Sequence, residues 1–314
     1  MDYVLLIAGF VLLIKGADWL VKSASKLARS FGISTLVIGL TVVAFGTSAP
    51  ELAIGIISGV QQANQVTFGD VVGSSIANIA LIIGISAFIH PLHVGRMVTK
   101  KEIPISFGVQ MLLLILALLG RMLSLMDGII LLAVFTAYLA YLFISELRKR
   151  KEAVCTELRE EACGRKERWK QALILIAGLA GLFLGGKLVV DSSVNIARGF
   201  GMSEAMIGVT VVAFGTSLPE LITCIMAAVK KEHDIAIGNI VGSNIFNVLF
   251  ILGVSTTIHA IPTPEGVNTD IYVMLGVTAL LFALAAIFKK INRYSGALFV
   301  LIYAAFITYK IVTL

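Results

Sequence analysis

Residues 38–52 read IGLTVVAFGTSAPEL, and residues 207–221 read IGVTVVAFGTSLPEL. Thirteen of the fifteen positions are identical, at an offset of 169 residues. The same offset lays residues 69–86 (GDVVGSSIANIALIIGIS) on residues 238–255 (GNIVGSNIFNVLFILGVS), with nine of eighteen identical. It also carries Val21, Ser23, Ala28, Arg29, Phe31, Gly32 and Ser34 onto Val190, Ser192, Ala197, Arg198, Phe200, Gly201 and Ser203. The chain holds one unit twice, and that repeat frames every other feature.

The unit is built for a membrane. Of 314 residues, 58% are hydrophobic and only 14% charged, where soluble domains run at about 25% charged. Apolar runs near the ~20 residues that a helix needs to cross hydrocarbon recur along the whole chain. They predict ten spans, near 3–29, 34–60, 67–91, 102–120, 124–145, 170–198, 203–229, 235–260, 270–289 and 293–312. The first and sixth carry charges (Lys15, Asp18 and Lys22; Lys187 and Asp191) and are read as spans that pair them, Lys15 with Asp18 and Lys187 with Asp191. Discounting those two gives the alternative count of eight or nine. The first span follows Met1-Asp2-Tyr3 without a basic leader or cleavage site, so it is expected to be retained.

The polar stretch Glu146–Lys170 divides the spans five and five. The expected organisation is a first five-helix repeat over 1–145, a basic loop over 146–169 and a second repeat over 170–314. An odd number of spans per unit sends the second unit into the bilayer the other way up, the inverted-repeat plan of secondary transporters with a site near the midplane. Fold class is thus an all-α membrane protein of ten helices in two inverted repeats. With the N-terminus outside, 20 of the 25 Lys and Arg residues fall on the inner side, which is the orientation the positive-inside bias selects. The 146–169 loop is then cytoplasmic, a solvated linker obeying that bias.

The repeated segments gather oxygen in the middle of apolar helices. Pro50 and Pro219 each remove a ladder hydrogen bond and clash with the carbonyl four residues back. This loosens Gly46 and Gly215, with the carbonyls of Ala44 and Ala213 close by. Thr47, Ser48 and Glu51 share a helix face by their spacing, as do their twins Thr216, Ser217 and Glu220. Ser74 with Asn78, and Ser243 with Asn247, add a second oxygen-bearing face. Beside them the pairs Gly69/Gly73 and Gly238/Gly242 have the GxxxG spacing that lets helices approach closely. A lone kinked helix with Ser and Thr bonded to its own backbone is the ordinary alternative. A carboxylate at mid-span costs about 2.5–3.5 kcal/mol even on the lenient insertion scale, and here it occurs twice, with no basic residue in the motif. Glu51 and Glu220 therefore point to a cation site.

No His, Cys or Met joins the motifs, which argues against zinc, copper or iron. An irregular all-oxygen cage suits calcium better than magnesium. Two carboxylates balance one divalent ion or about two monovalent ones, so calcium with sodium as competitor follows, and protons stay open as the coupling ion. Cys155, Cys163 and Cys224 form no framework. His90, His93, His233 and His259 read as loop residues without partners, which leaves no site for a membrane enzyme. Asp70 and Asp234, near span starts, read as helix caps.

At the doubled GTS-x-PE and GSx-x-x-N motifs the chain resembles the calcium/cation antiporter superfamily, in its prokaryotic sodium/calcium exchanger branch, over nearly its whole length. The resemblance implies an antiporter that exchanges Na+ for Ca2+ across the cell membrane by alternating access, with those two ions as substrates, lipid as its surroundings, no cofactor and no nucleic acid. It implies that Glu51 and Glu220 are the central ligands. Thr47, Ser48, Thr216 and Ser217 would add hydroxyl or carbonyl oxygens, and Ala44 and Ala213 backbone carbonyls. Ser74 and Ser243 would line the outer and inner sodium positions, with Asn78 and Asn247 flanking the centre. Potassium-dependent members typically carry Asp at the position of Asn247, so Asn implies potassium independence. The calcium/proton branch, the main alternative, generally shows GNxxE on the carboxylate helix. A cation channel is a further alternative, disfavoured by the inverted repeat.

Overall fold

The computed structural model describes residues 2–61, 64–120, 122–154, 165–202, 213–263 and 267–313. It is helical throughout, with four two-residue strands. Helix α1 is Asp2–Phe31; α2 is Thr35–Thr47 and α3 Ala49–Val60. Helix α4 runs from Asn64–Ile76 through a π-helical segment, Ala77–Ile83, to Gly84–Ile89. Then follow α5 (Val98–Gly120), α6 (Leu125–Val154), α7 (Arg165–Gly199), α8 (Ala213–Thr216), α9 (Leu218–Val229), α10 (His233–Ile258), α11 (Val267–Phe288) and α12 (Arg293–Thr313).

Eight of these helices are long and apolar enough to cross a membrane, and α2 with α3 makes a ninth bent by 50°. The protein is a multi-pass membrane protein. The first part of the seventh expected span, 203–212, lies outside the described residues, as do Cys155 and Cys163 of the central loop. The short α8 and α9 form its described remainder.

Local chemistry explains the ends and breaks. Helix α1 stops at Gly32, whose φ of +64° needs a residue without Cβ. There Gly32 N–H donates to Arg29 O and Ile33 N–H to Ala28 O, a left-handed helix cap. Gly201, its twin, closes α7 the same way, with φ +78° and Met202 N–H on Ala197 O. Between α2 and α3 the chain breaks at Ser48, and Pro50 sits in the first turn of α3, where its missing N–H costs nothing.

Contacts recur when the halves are exchanged. A Cβ on Gly16 would come within 2.8 Å of Gly178 O, and one on Gly178 within 2.8 Å of Gly16 O. One on Gly185 would lie 2.8 Å from Gly9 O. Gly9 and Gly16 are the offset twins of Gly178 and Gly185, so α1 and α7 cross through a seam of glycines that brings backbone against backbone. The strands repeat the pattern. Leu92–His93 pairs antiparallel with Lys290–Ile291, and Met122–Leu123 with Ile261–Pro262. The 169-residue shift carries 92–93 onto 261–262.

Burial divides the bundle. In its most apolar window α10 is 94% buried and α4 is 72% buried, against 33% for α1 and 39% for α7. Helices α4 and α10 are the centre. Gly238 and Gly242 make that possible, since a Cβ on Gly242 would meet Leu40 O at 2.6 Å and one on Gly238 would meet Leu36 O at 2.9 Å. Gly69 and Gly73 have no described atom within 4 Å of such a Cβ; the segment expected against them, the twin of 36–40, falls in 203–212, outside the described residues.

The charges in the first span pair differently from expectation. Asp18 binds Lys22 (2.9 Å) one helical turn on and Lys230 (2.5 Å) on the turn before α10, not Lys15. Lys187 and Asp191 form no ion pair with each other. A long-range partner outcompetes a same-helix one when it arrives at the same depth with better geometry.

Candidate functional site

Four broken or widened helices meet at the centre. The break at Ser48 frees Thr47 and Ser48 from a regular helix face and starts α3 with Glu51 in its first turn. Ser217, Pro219 and Glu220 repeat this at the start of α9. Two π-helical segments, Ala77–Ile83 in α4 and Asn247–Ile251 in α10, begin beside or at Asn78 and Asn247. Such widened turns mark functional positions in helices more often than chance allows.

The polar side chains of these turns are buried together. Thr47, Ser48, Glu51, Glu220, Ser243, Asn78 and Asn247 are at most 1% exposed, Ser217 5% and Ser74 7%. Ser48 Oγ lies 3.1 Å from Glu220 Oε1 and 3.0 Å from Ser243 Oγ. With one hydroxyl proton it serves one of them at a time, which ties α9 and α10 to the break in α2–α3. Asn247 Nδ2 donates to Ser74 Oγ (3.2 Å), and Asn78 Nδ2 to Asn244 Oδ1 (2.9 Å). Asn244 Nδ2 then donates to Ser75 O (3.1 Å). Both repeats thus contribute to one hydrogen-bonded core.

What this core leaves unused is its most informative property. Glu51 Oε2, Glu220 Oε2, Asn78 Oδ1 and Asn247 Oδ1 are buried without a hydrogen-bond partner. A buried unpaired acceptor costs about 1–3 kcal/mol, more if charged. Each asparagine spends its NH2 group on the opposite half of the chain and keeps its carbonyl free. Two carboxylate and two amide oxygens, contributed in twin pairs, are the hard ligands that Na+ or Ca2+ prefers. Among the described residues no group of three His, Cys, Asp or Glu side chains is placed to hold a metal, so the offer comes from mixed oxygens rather than a carboxylate cluster.

The other expected ligands fall as follows. Ala44 O accepts from Ser48 N–H (3.0 Å) and from Thr47 Oγ1 (3.3 Å). Thr47 Oγ1 also lies 3.0 Å from Asn239 Oδ1. Thr216 is part-buried at the end of α8, Ser217 Oγ is buried without a partner, and Ser74 Oγ also donates to Val71 O at 3.2 Å. Ala213 starts α8.

Sequence reasoning passed over Asn239 and Asn244, the twins of Asp70 and Ser75. Their signal was polarity at matched positions in apolar spans. Asp70 is no cap: it lies inside α4, with a buried Oδ2 that bonds nothing. Asp234, in the first turn of α10, accepts from Thr35 Oγ1 at 3.4 Å, a tertiary contact. His233 has partners after all, with ring centroids 5.6 Å from His90 and 5.0 Å from His93.

Two buried carboxylates among neutral oxygens, at the centre of a membrane helix bundle, have the chemistry that an ion transporter needs. Residues 1–144 and 170–312 match the family model described as sodium/calcium exchanger protein, and the chain belongs to that family. It is 36% identical over 283 residues to the putative antiporter CaxA of Alkalimonas amylolytica, covering 88% of each chain. It is 32% identical to the sodium/calcium exchanger MaX1 of Methanosarcina acetivorans, covering 98% of this chain and 97% of that one. Among solved structures, the sodium-calcium exchanger NCX_Mj superposes with a TM-score of 0.86 at 32% identity, over 98% of both chains.

Proposed function

We propose that this protein exchanges Na+ for Ca2+ across the cell membrane by alternating access, independently of K+. The four buried oxygens of Glu51, Glu220, Asn78 and Asn247 that lack partners carry the proposal. Sodium ions or one calcium ion would satisfy those oxygens in turn, with hydroxyls of Thr47, Ser48, Thr216, Ser217, Ser74 and Ser243 and carbonyls of Ala44 and Ala213 completing the shells. Either cargo neutralises the two carboxylates. A site left empty or half filled keeps a charge in a low-dielectric core and resists the conformational change, and that difference produces exchange rather than leak.

The switch belongs to two inverted five-helix repeats. Support comes from the strand pairs and glycine contacts, which exchange under the 169-residue offset as a two-fold axis in the membrane plane requires. The N-terminus is placed outside and the 146–169 loop in the cytoplasm, on the charge bias. The long α1–α7 pair then moves across the core and alternately uncovers the site, while the hydrogen-bonded centre stays fixed.

The test is reconstitution into liposomes loaded with Na+ and diluted into Na+-free medium containing Ca2+. Calcium uptake is expected to require internal Na+ and to ignore K+. Uptake driven by a pH gradient alone would overturn the sodium assignment in favour of proton coupling, and flux without a counter-ion would mean a channel.

A further inference from the structure

The two halves of the centre differ by one charge. At the offset that superposes them, Asp70 of α4 corresponds to Asn239 of α10. Asn239 is fully buried, and its Oδ1 takes the Thr47 hydroxyl at 3.0 Å. Asp70 is part-buried, and its Oδ2 is enclosed without a hydrogen-bond partner. None of the ion pairs between described residues includes it. A carboxylate left this way inside a membrane helix is a functional residue by default.

Its position says what for. Asp70 precedes Ser74 by one helical turn, on the same face of α4, and Ser74 holds Asn247 at the centre. Asp70 lies within Coulombic range of both Glu51 and Glu220, yet the three acids do not form a ligand group for one ion. Asp70 therefore stands one step outside the coordinating set, six residues or about 9 Å of helix from the start of α4. Glu51 Oε2, itself without a partner, lies further in.

We propose that Asp70 is a recruiting residue, a single anionic station that concentrates the entering cation on the membrane face where α4 begins and hands it inward to Glu51 and Glu220. The inference rests on the exchanger reading above, in whose orientation that face is the extracellular one. The opposite approach passes neutral Asn239 inside the core, and the acids at its mouth, Glu232 and Asp234, are engaged by Arg29, Ser25 and Thr35, so the two halves of the core differ in charge although the fold is symmetric. A local field of this kind raises cation occupancy or on-rate by about tenfold or more.

Calcium flux driven by a sodium gradient would be measured in right-side-out and in inverted membrane vesicles, giving the KM for Ca2+ at each face. Wild-type flux in both establishes the exchanger reading on its own. Asp70→Asn is expected to raise KM about tenfold at the face where α4 begins and less than about twofold at the other. Asp70→Glu should restore most of the loss, and Asn239→Asp should lower KM at the opposite face. Unchanged KM values in Asp70→Asn, equal shifts at both faces, or failure of Asp70→Glu to rescue would each overturn the proposal. If Asp70→Asn does not assemble, Asn239→Asp still decides it.

Discussion

The central pair α4 and α10 and the long pair α1 and α7 cross the same membrane but are held by different means. Around the centre, side chains from α2–α3, α4, α9 and α10 are locked by hydrogen bonds, as in Ser48 to Glu220 and Asn78 to Asn244. The α1–α7 crossing is a glycine seam, Gly9 on Gly185 and Gly16 on Gly178. Side-chain links across it lie towards its ends, Asn195 Nδ2 to Asp2 Oδ1 at 3.3 Å and the Arg168 guanidinium over the Phe31 ring at 5.1 Å. A hydrogen-bonded network fixes one arrangement, because slipping leaves buried groups unpaired. A seam of small residues keeps its van der Waals contact through a range of displacements. On the proposed mechanism, the first region holds the ions at fixed positions and the second moves past it.

The strongest way to break the comparison is to remove the charge that the fixed region holds. Glu51→Gln or Glu220→Gln should reduce sodium-driven calcium flux by about 100-fold or more, since a site short of a carboxylate lacks about 3 kcal/mol or more of charge-assisted binding. Size-exclusion profiles in detergent should stay those of the wild type. Flux that survives in both variants would show that the centre is scaffolding.

Gly16→Leu or Gly178→Leu attacks the seam instead. The new Cβ meets backbone at 2.8 Å, which side-chain repacking cannot relieve, so destabilisation of about 1–3 kcal/mol should appear in thermal melts together with loss of flux. Gly108→Ala at an exposed position of α5, by contrast, meets no described atom and serves as the control. A third variant, Asn247→Asp, adds a carboxylate to the fixed region while sparing its geometry. Calcium flux measured with and without K+ should then gain a potassium dependence of a few-fold, and none if the carbonyl of Asn247 does not face the ions.

The smallest effect concerns the one end of α1 that is tethered. Asp18 to Lys230, Ser25 to Glu232 (2.6 Å) and Arg29 to Glu232 (3.1 Å) tie it to the turn before α10. The twin positions of 230, 232 and 234 are Gln61, Ala63 and Gln65, so the opposite side has no charges to build the same tether. Glu232→Gln removes part-exposed bonds worth about 0–1 kcal/mol. It should speed or slow exchange by no more than a few-fold, and the change should fade as ionic strength rises.

How much of this was legible before the structure follows from the range of the forces. The repeat, the apolar spans and the residues that share a helix face are local patterns, and Glu51, Glu220, Ser48, Ser243, Asn78 and Asn247 are all buried. Partners chosen by helix crossings were not legible. Asn239 takes the Thr47 hydroxyl across 192 residues of chain, and His233 finds His90 and His93 through loops that carry no periodicity. Asp70 was misread because nearness to a span start suggests a cap, whereas capping requires a free backbone N–H, and residues inside a helix have none to offer. Lys15 was preferred to Lys230 for Asp18 for the same reason, as sequence distance hides the turn that brings Lys230 alongside.

The π-helical segments have a consequence of their own. Each adds a residue to a turn without lengthening the helix, so the side chains beyond it are rotated by about 100° relative to those before. In α4, Ser74 and Asn78 face Asn247 and Asn244 of α10, whereas Gly84, past the wide turn, lies against Gly296 of α12; in α10, Gly253 lies against Leu132 and Gly128 of α6. The wide turns act as phase shifters that let one rod obey two neighbours. The count of residues between Asn78 and Gly84, or between Asn247 and Gly253, is therefore as much a part of the site as any ligand: deleting one would restore an ideal helix and aim half of it in the wrong direction.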